Sequence, residues 1–507
     1  MKLISRISFL LFTLFIAASF NSGEKSTYSL YTSNYENVLG TSFELKVSAK
    51  NEGKAELAEK IALEEIDRLS SILSSYDPNS EFSKWQKTQS MGVKISNELF
   101  EVFTLFDSWR NSTRGALDPA AGAAIAVWKS AELTQQTPTN SSLEKVVNDI
   151  KQTHWLLDNK HQTATHLSQI LLVLNSFVKS YIIEKVAKKV MGIDGIDGAL
   201  VNIGGDILVA GNHSEKITIS NPKADAENDL PISSLQISDR AVATSGNYRR
   251  GFSIDGQWYS HIIDPRSGKP VNHILSATVV APNATDAGAL ATAFNVLTPK
   301  EGIELAKGLK EIEYLIITSD GKKIQSPGWK NIEAASITSV EKNKKEKSTN
   351  LTAQKTWNEN YEVAIDLELA RFEGRARRPF VAIWVEDSEK KTVRTLSLWF
   401  NKPRWLPDLK EWYHKNNSTY TTGAQNISSI SSATRPAGSY TIKWDGKNDL
   451  GAFVKPDDYT IFIEVAREHG TYQIIKQEIS CKNKPKQYEL QKNTEVDAAS
   501  ITYRMIK

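Results

Sequence analysis

One run of seven residues without an apolar side chain divides this chain. Residues 341–347 read Glu-Lys-Asn-Lys-Lys-Glu-Lys. A segment of this composition cannot bury itself in a core, so it favours a solvated linker, with an exposed turn inside one domain as the alternative. At 507 residues the chain is also too long for one ordinary core. We therefore predict folded units at residues 30–338 and 356–507, joined by a charged linker at 339–355.

Residues 1–22 have the pattern of a secretory signal peptide. Lys2 and Arg6 precede a mostly apolar run at 7–15, and small residues follow at 17–19. A membrane anchor is the alternative, but the apolar run is shorter than the roughly 20 residues that a spanning helix needs. No cysteine lies near the expected cleavage site, which argues against a lipoprotein. We expect an exported, periplasmic protein with no membrane span left after cleavage.

Charge and cysteine content exclude several function classes. The chain has 62 basic and 59 acidic residues, so no overall field points to a nucleic-acid partner. Its single cysteine, Cys481, excludes an internal disulfide and any cysteine-rich metal or iron–sulfur site.

Apolar periodicity differs between the two predicted units. In the first, apolar residues at 57, 61, 62, 66, 69 and 73 predict a helix, whereas 277–280 and 314–318 predict strands, so the class is mixed α and β (α+β or α/β). In the second, the short runs 361–369, 380–385, 396–400 and 459–465 predict an antiparallel β-sandwich.

Two glycine-containing clusters in the first unit could approach a ligand. Residues 201–206 end in Gly204, Gly205 and Asp206, and paired glycines allow a tight turn with the main chain close to a ligand. Residues 243–250 combine hydroxyl groups, a glycine and two guanidinium groups, which suits phosphate oxygens. Surface solvation is the alternative for the arginines.

A third cluster holds titratable groups. Residues 261–268 contain His261, Asp264 and Arg266, and Pro265 and Gly268 permit the bend that brings such side chains to one site. This segment is a candidate for acid–base or phosphate chemistry.

Six motifs in order resemble the ApbE family, secreted flavin transferases that move FMN from FAD onto a threonine of a partner protein. Three of them are the clusters above, residues 201–206, 243–248 and 261–268. The others are Leu-Gly-Thr-Ser-Phe at 39–43, Ser-Tyr-Asp-Pro-Asn-Ser-Glu at 75–81 and Gly-Ala-Leu-Asp-Pro at 115–119. The resemblance implies FAD in a cleft, with Mg²⁺ bridging its pyrophosphate, and release of AMP when the threonine hydroxyl attacks.

The resemblance also implies roles for individual residues. Phosphate contacts would come from Lys179, Arg249 and Arg266. His261 would position or deprotonate the threonine hydroxyl, and His261 and Lys179 are the expected catalytic residues. The implied partner is an exported acceptor protein with a Ser/Thr-Gly-Ala-Thr-like motif. The FAD-binding residues implied by the motifs are Leu39, Tyr76, Asp118, Lys179, Gly204, Gly205, Asp206, Thr244, Ser245, Gly246, Arg249, His261, Asp264 and Arg266.

Two motifs depart from the family pattern. Residues 175–180 read Asn-Ser-Phe-Val-Lys-Ser where the family has Gly-Gly-Ile-Ala-Lys-Gly, and Gly288 replaces an aspartate that binds the metal. The implied metal ligands become the Val178 carbonyl, Thr292 and a displaced Asp286. Asp286 lies about 240° from Thr292 on a continuous helix, so it can join the site only if the helix begins after it.

These departures leave a second function open. A degenerate homologue could bind FAD or a partner protein without transferring anything. Another possibility makes the second unit the functional one and the first a scaffold.

The second unit resembles an Ig-like periplasmic domain of unknown function. Residues 431–434, Ser-Ser-Ala-Thr, weakly resemble the flavin-acceptor sequence, with Thr434 as the candidate acceptor and an exposed polar loop as the alternative. A basic patch, defined as Arg371, Arg375, Arg377 and Arg378, could meet an acidic partner or form a solvated edge.

Overall fold

The computed structural model describes residues 28–247, 250–334, 356–400, 403–422, 431–432, 434–468, 470–482 and 484–506. The predicted signal peptide, the predicted linker and Arg249 lie outside these residues. Within them, no helix combines the length and apolarity needed to cross a membrane.

The first unit is built from strands and helices that alternate irregularly along the chain. The strands are β1 (Ser29–Val38), β2 (Thr41–Ala49), β3 (Gly92–Lys94), β4 (Trp155–Asp158), β5 (Thr163–His166), β6 (Ile196–Ile203), β7 (Asp206–Ile219), β8 (Ser233–Gly246), β9 (Gly251–Ile254), β10 (Gln257–Ser260), β11 (Ile263–Asp264), β12 (Lys269–Pro270), β13 (Ile274–Ala281), β14 (Glu313–Thr318) and β15 (Lys323–Gln325). The helices are α1 (Glu52–Leu73), α2 (Glu81–Gln86), α3 (Asn97–Ser112), α4 (Ala121–Thr134), α5 (Asn140–Ile150), α6 (Val178–Met191), α7 (Ala284–Val296), α8 (Pro299–Lys307) and α9 (Trp329–Ile332).

An eight-stranded antiparallel sheet forms the frame of the first unit, in the order β1-β2-β6-β7-β8-β13-β14-β15. Because successive side chains of a strand point to opposite faces, the sheet has two apolar faces. One packs against α1, α6 and α7, and the other forms a smaller cluster that includes Trp329. This arrangement confirms the mixed α and β class, and the predicted helix and strands fall within α1, β13 and β14.

The turn between β6 and β7 requires glycine. Gly204 and Gly205 have φ angles of +58° and +92°, in the left-handed region that side chains rarely adopt. A Cβ atom on Gly204 would also lie 2.7 Å from the hydroxyl of Thr41. The paired glycines therefore fix a tight turn that ends directly at Asp206.

The second unit is a two-layer sandwich. Its strands are β16 (Tyr361–Leu369), β17 (Pro379–Glu386), β18 (Thr392–Trp399), β19 (Ser431–Ser432), β20 (Gly438–Trp444), β21 (Asp458–Arg467), β22 (Tyr472–Ser480), β23 (Lys486–Leu490) and β24 (Val496–Met505). They form sheets in the orders β20-β16-β24-β23 and β19-β18-β17-β21-β22. Apolar side chains from both sheets, with Trp357 and Trp444, fill the space between them. The predicted antiparallel sandwich is confirmed, with one short parallel pair between β18 and β19.

The five-stranded sheet also buries its outer face. A 3-10 helix, Pro403–Asp408, and α10 (Lys410–Thr422) follow β18 and cover that face with Trp412 against Trp384 and Phe462. Cys481 is a free thiol in the core between the sheets, where burial raises its pKa to about 12.

The basic patch meets the first unit of the same chain. Three of its arginines pair with acidic side chains on β1 and α1, and the carbonyl of Ala376 accepts a hydrogen bond from the Glu36 backbone at 2.8 Å. The ion pairs are Arg375–Asp67, Arg377–Glu59 and Arg378–Glu36. An acidic partner of the patch is therefore intramolecular, while Arg371 stays exposed.

The second unit also contacts the loop between β7 and β8. The backbone of Glu227 donates to the carbonyl of Thr441 at 2.7 Å. The side chain of Asn228 donates to the carbonyl of Lys443 at 2.8 Å and accepts from its backbone at 3.0 Å. These hydrogen bonds, one between main chains and two between the side chain of Asn228 and the main chain of Lys443, join the β7–β8 loop to β20.

The candidate acceptor Thr434 is not accessible. It is 1% exposed, and its carbonyl accepts from the guanidinium of Arg378 at 3.0 Å. A hydroxyl group closed off from solvent cannot attack a phosphate in another unit. The structure therefore contradicts the prediction that Thr434 accepts flavin.

Candidate functional site

Most of the predicted site residues meet in one cavity of about 670 Å³, within the range of cavities that hold small molecules. It lies where the start of α6, the β6–β7 turn, the end of β8 and one face of α7 come together. The predicted residues that line it are Lys179, Gly204, Gly205, Asp206, Thr244, Ser245, Gly246, His261 and Thr292.

At the start of α6, two side chains contact the carboxylate of Asp206. The hydroxyl of Ser180 donates to Oδ2 of Asp206 at 2.7 Å, and Nζ of Lys179 lies 3.3 Å from the same oxygen. Lys179 also donates to the carbonyl of Gly204 at 3.4 Å. The ammonium group therefore sits between the glycine turn and the positive end of a helix, where an anion is stabilised.

His261 has the properties of a general base. Its Nδ1 lies 2.9 Å from the carbonyl oxygen of Arg250, and a carbonyl only accepts, so Nδ1 carries the proton and Nε2 keeps a lone pair. Burial lowers the pKa of His261 and outweighs the hydrogen bond to the Arg250 carbonyl, which acts to raise the pKa, while the charge of Arg250 adds to the lowering. The imidazole is therefore neutral at neutral pH and able to accept a proton.

The end of β8 contributes small polar groups. Thr244 shares a hydrogen bond of 2.9 Å with Thr278 on the neighbouring β13, and the carbonyl of Ser245 accepts from the side chain of Asn295 at 2.7 Å. These contacts tie the end of β8 to β13 and α7, and residues 242–246 of this strand end line the cavity.

Sequence reasoning missed several lining residues. Thr218 and Ser220 lie outside the predicted motifs although they line the cavity. Arg250 was predicted only as one of the two guanidinium groups of residues 243–250, and Ser180 only as the last residue of the altered segment 175–180. At the end of β7, Thr218 and the following Ser220 alternate with the apolar Ile217 and Ile219, a strand pattern that could have indicated one exposed face. The same two residues line a second cavity of about 720 Å³ between the two units, so the second unit borders an extension of the site.

Arg266 and Asp264 do not line the cavity. Nε of Arg266 donates to Oδ1 of Asp264 at 2.9 Å, and Nη1 donates to Oε1 of Glu301 at 2.8 Å. The hydrogen bond from Arg266 lowers the pKa of Glu301 to about 2. With two carboxylates on its guanidinium, Arg266 joins the β11–β12 hairpin to α8 instead of contacting a phosphate.

Three further predicted FAD contacts lie outside the lining. Leu39 packs against the core, and Asp118 is buried beside Arg110 at 2.6 Å, which gives each a structural role. Tyr76 is 80% exposed, and its hydroxyl accepts from Asn175, a lining residue, at 2.5 Å. Tyr76 therefore belongs to the rim of the cavity.

The implied magnesium ligands do not converge. Helix α7 begins at Ala284, before Asp286, and Asn283 both accepts from the backbone of Asp286 and donates to its carboxylate at 2.8 Å. Asp286 therefore faces away from Thr292, and the condition for its participation fails. Val178 is buried and also outside the lining, and the hydroxyl of Thr292 donates to the carbonyl of Ser176 at 2.9 Å.

The described residues offer no other cluster of metal ligands. Within the described part of the chain, no group of three or more His, Cys, Asp or Glu residues is placed to hold a metal ion. Asp206 is the carboxylate in the cavity lining, and Ser180 and Lys179 already occupy its Oδ2. These residues do not fit the magnesium site that the family pattern implies.

Two family models match the chain. The ApbE family model matches residues 39–316, and a model described as "Predicted periplasmic protein (DUF2271)" matches residues 361–498. The FAD:protein FMN transferase of Escherichia coli K12 is 28% identical over 300 residues, covering 57% of this chain and 84% of that protein. The FAD:protein FMN transferase of Vibrio cholerae is 29% identical over 301 residues, covering 56% and 87%.

Solved structures share the fold of the first unit. The ApbE protein of Thermotoga maritima has a TM-score of 0.54 at 25% identity and covers 61% of this chain and 100% of its own. The apo flavinyl transferase ApbE of Pseudomonas stutzeri has a TM-score of 0.52 at 20% identity, with 61% and 98% covered, and supports the fold alone. With a family model that spans more than half of its residues, this chain belongs to the ApbE family.

Proposed function

We propose that this protein transfers the FMN half of FAD to a threonine hydroxyl of an acceptor protein and releases AMP. The observation that carries the proposal is the neutral imidazole of His261, with a bare Nε2, in the same cavity as the ammonium of Lys179. A base and a phosphate-binding cation in one cavity are what a phosphoryl transfer to a hydroxyl requires.

The proposed step balances with these groups. The threonine oxygen attacks the FMN-side phosphorus of FAD, and its proton passes to Nε2 of His261. A new phosphorus–oxygen bond forms as the bond to the bridging anhydride oxygen breaks. AMP leaves as a phosphate monoester, and Lys179 with the positive end of α6 stabilises the charge that develops on the oxygens.

The acceptor is proposed to be another exported protein with a Ser/Thr-Gly-Ala-Thr-like sequence. The match of residues 361–498 to a predicted periplasmic family supports an extracytoplasmic location. We propose that the signal peptide is cleaved near residue 22 and that no lipid anchor follows. N-terminal sequencing of the protein recovered from the periplasm would test this, because a chain that still begins at Met1 contradicts it.

The transfer is tested with mature protein, FAD and a flavin-acceptor domain, with and without magnesium. We expect AMP in solution and a covalently fluorescent acceptor. His261→Asn should still bind FAD but lose transfer, whereas His161→Asn, at an exposed histidine outside the cavity, should leave transfer unchanged. Equal transfer by wild type and His261→Asn would contradict the proposed role of His261.

A binding-only homologue is the second candidate, and the crowding around Gly288 favours it. The hydroxyl of Ser180 fills the space beside Gly288, where the family pattern implies a metal-binding aspartate. This function predicts FAD binding without AMP in the same assay, so one experiment separates the two.

A further inference from the structure

The charges in the cavity favour an anion without help from a metal. Among the described lining residues, Lys179 and Arg250 are cationic, Asp206 is anionic and His261 is neutral, so the lining has a net charge of +1. The positive end of α6 adds to this potential. A diphosphate, which carries two negative charges, is therefore attracted by the protein alone.

The space beside Gly288 is closed to a second carboxylate. A Cβ atom on Gly288 would lie 2.1 Å from Oγ of Ser180 and 2.7 Å from its Cβ, distances that real atoms do not adopt. The same Cβ position is 3.8 Å from Oδ2 of Asp206. Ser180 and a side chain at position 288 thus exclude each other, and the hydroxyl of Ser180 takes the place beside Asp206.

The carboxylate of Asp206, the one in the described lining of the cavity, already has a hydrogen-bond donor and a cation beside it. Oδ2 of Asp206 accepts from Ser180 and lies within ion-pair distance of Lys179. Mg²⁺ needs a near-octahedral set of oxygens, which usually come from several waters, one or two carboxylates and the phosphates of the substrate. A divalent cation bound at Oδ2 would have to displace Ser180, and it would stand near the Lys179 ammonium, which repulsion between like charges opposes.

We propose that this chain binds the diphosphate of FAD through Lys179 and Arg250 without a divalent cation, and that Ser180 and Gly288 together exclude the cation. The inference rests on the proposed function, since it concerns how the same cavity holds FAD. It predicts that the ammonium of Lys179 supplies the charge that a metal ion would otherwise supply.

The first test measures FAD binding by flavin fluorescence, with wild-type protein in EDTA and in saturating Mg²⁺. The two dissociation constants should agree. Lys179→Met should weaken binding roughly tenfold or more in both buffers, as expected for loss of a charged hydrogen-bond donor. Lys188→Met, at an exposed lysine near the other end of α6, is the matched control and should bind as wild type.

The second test measures cation binding directly, by electron paramagnetic resonance of Mn²⁺. Wild type should show no tight Mn²⁺ site with or without FAD. The double variant Ser180→Gly/Gly288→Asp adds a carboxylate and removes the hydroxyl that blocks it, so it should bind Mn²⁺ and bind FAD more tightly when the cation is present.

The outcomes separate this inference from the proposed function. FAD binding by wild type that tightens about tenfold or more with Mg²⁺ would overturn the inference alone. A tight Mn²⁺ site in wild type would do the same. Wild type that binds FAD in neither buffer would contradict the proposed function and this inference together.

Discussion

At the scale of single residues, His261 shows how one contact sets the chemistry of a site. Its Nδ1 donates to the carbonyl of Arg250, which leaves Nε2 free to accept a proton. Burial lowers its pKa, because the charged imidazolium loses hydration. The imidazole is therefore neutral at neutral pH, as the proposed role of His261 as a base requires.

A pH profile checks this role. Because the neutral imidazole is the active form, kcat/KM should rise with pH through an apparent pKa below the ordinary value of 6.5 and then stay level. His261→Asn should lower kcat roughly a hundredfold or more. A profile with no acid limb, or one whose acid limb survives in His261→Asn, would assign the base to another group.

Gly288 gives a second prediction at this scale. Gly288→Asp alone should destabilise the protein by about 1–3 kcal/mol, the usual cost of overpacking, because the new Cβ meets Ser180. Ser180→Gly added to it should recover part of the lost melting temperature, because it removes the atoms that clash with the new side chain. The measurement is the thermal unfolding of Gly288→Asp and of Ser180→Gly/Gly288→Asp. If Gly288→Asp alone is as stable as wild type, the predicted clash with Ser180 does not exist.

At the scale of elements, the site forms where several secondary structures end. The β6–β7 turn and the end of β8 were predictable, because paired glycines and a Thr-Ser-Gly sequence indicate close approach of the main chain. The residues that contact Arg266 and Ser180 could not be predicted from the sequence. Glu301 and Gly288 reach those residues only after α8 and α7 pack against the sheet, and local sequence carries no signal for such contacts.

The ion pairs of Arg266 with Asp264 and Glu301 join the β11–β12 hairpin to α8, and a substitution at Arg266 tests what they contribute. Arg266→Gln should lower stability by about 1 kcal/mol or less, since the ion pairs are partly exposed, and should leave FAD affinity unchanged. Denaturant unfolding and flavin fluorescence measure the two quantities separately. A loss of FAD affinity at unchanged stability would restore Arg266 to the binding site.

The ion pair between Arg266 and Glu301 also affects the stability of the fold at acid pH. Since Arg266 lowers the pKa of Glu301 in the folded protein to about 2, the pair stabilises the fold above the ordinary carboxyl value of 4.5 and loses that effect as pH falls from 4.5 towards 2. The stability difference between wild type and Arg266→Gln should therefore shrink over that window. If the stability difference between the two proteins stays constant down to pH 2, the charges of Arg266 and Glu301 do not stabilise the fold.

At the scale of the whole molecule, the two units are docked by contacts on two sides. The basic patch reaches β1 and α1, and the β7–β8 loop pairs with β20. The sequence predicted the sandwich and the basic patch from alternation and charge, but the patch's own intramolecular partners depended on how the units face each other. The proposed boundary at 339–355 remains a prediction that limited proteolysis can test.

Among the three paired arginines of the basic patch, Arg378 is the most buried. It is 6% exposed, and Nε donates to Glu36 at 2.6 Å. Arg378→Ala should cost roughly 1–3 kcal/mol by leaving Glu36 without its donor, and calorimetry should resolve separate unfolding of the two units. Arg371→Ala, at an exposed position of the same patch, is the control. A single transition at the wild-type temperature in Arg378→Ala would contradict the docking role.

The most direct test of flavin transfer is the intact mass of an acceptor domain after incubation with wild-type protein and FAD. The proposed function predicts that the acceptor gains the mass of one FMN less one water, as a phosphoester requires, and that AMP appears in equal amount. Both products should be absent when His261→Asn replaces wild type. An acceptor whose mass stays unchanged while the protein binds FAD would contradict transfer and leave a flavin-binding protein in its place.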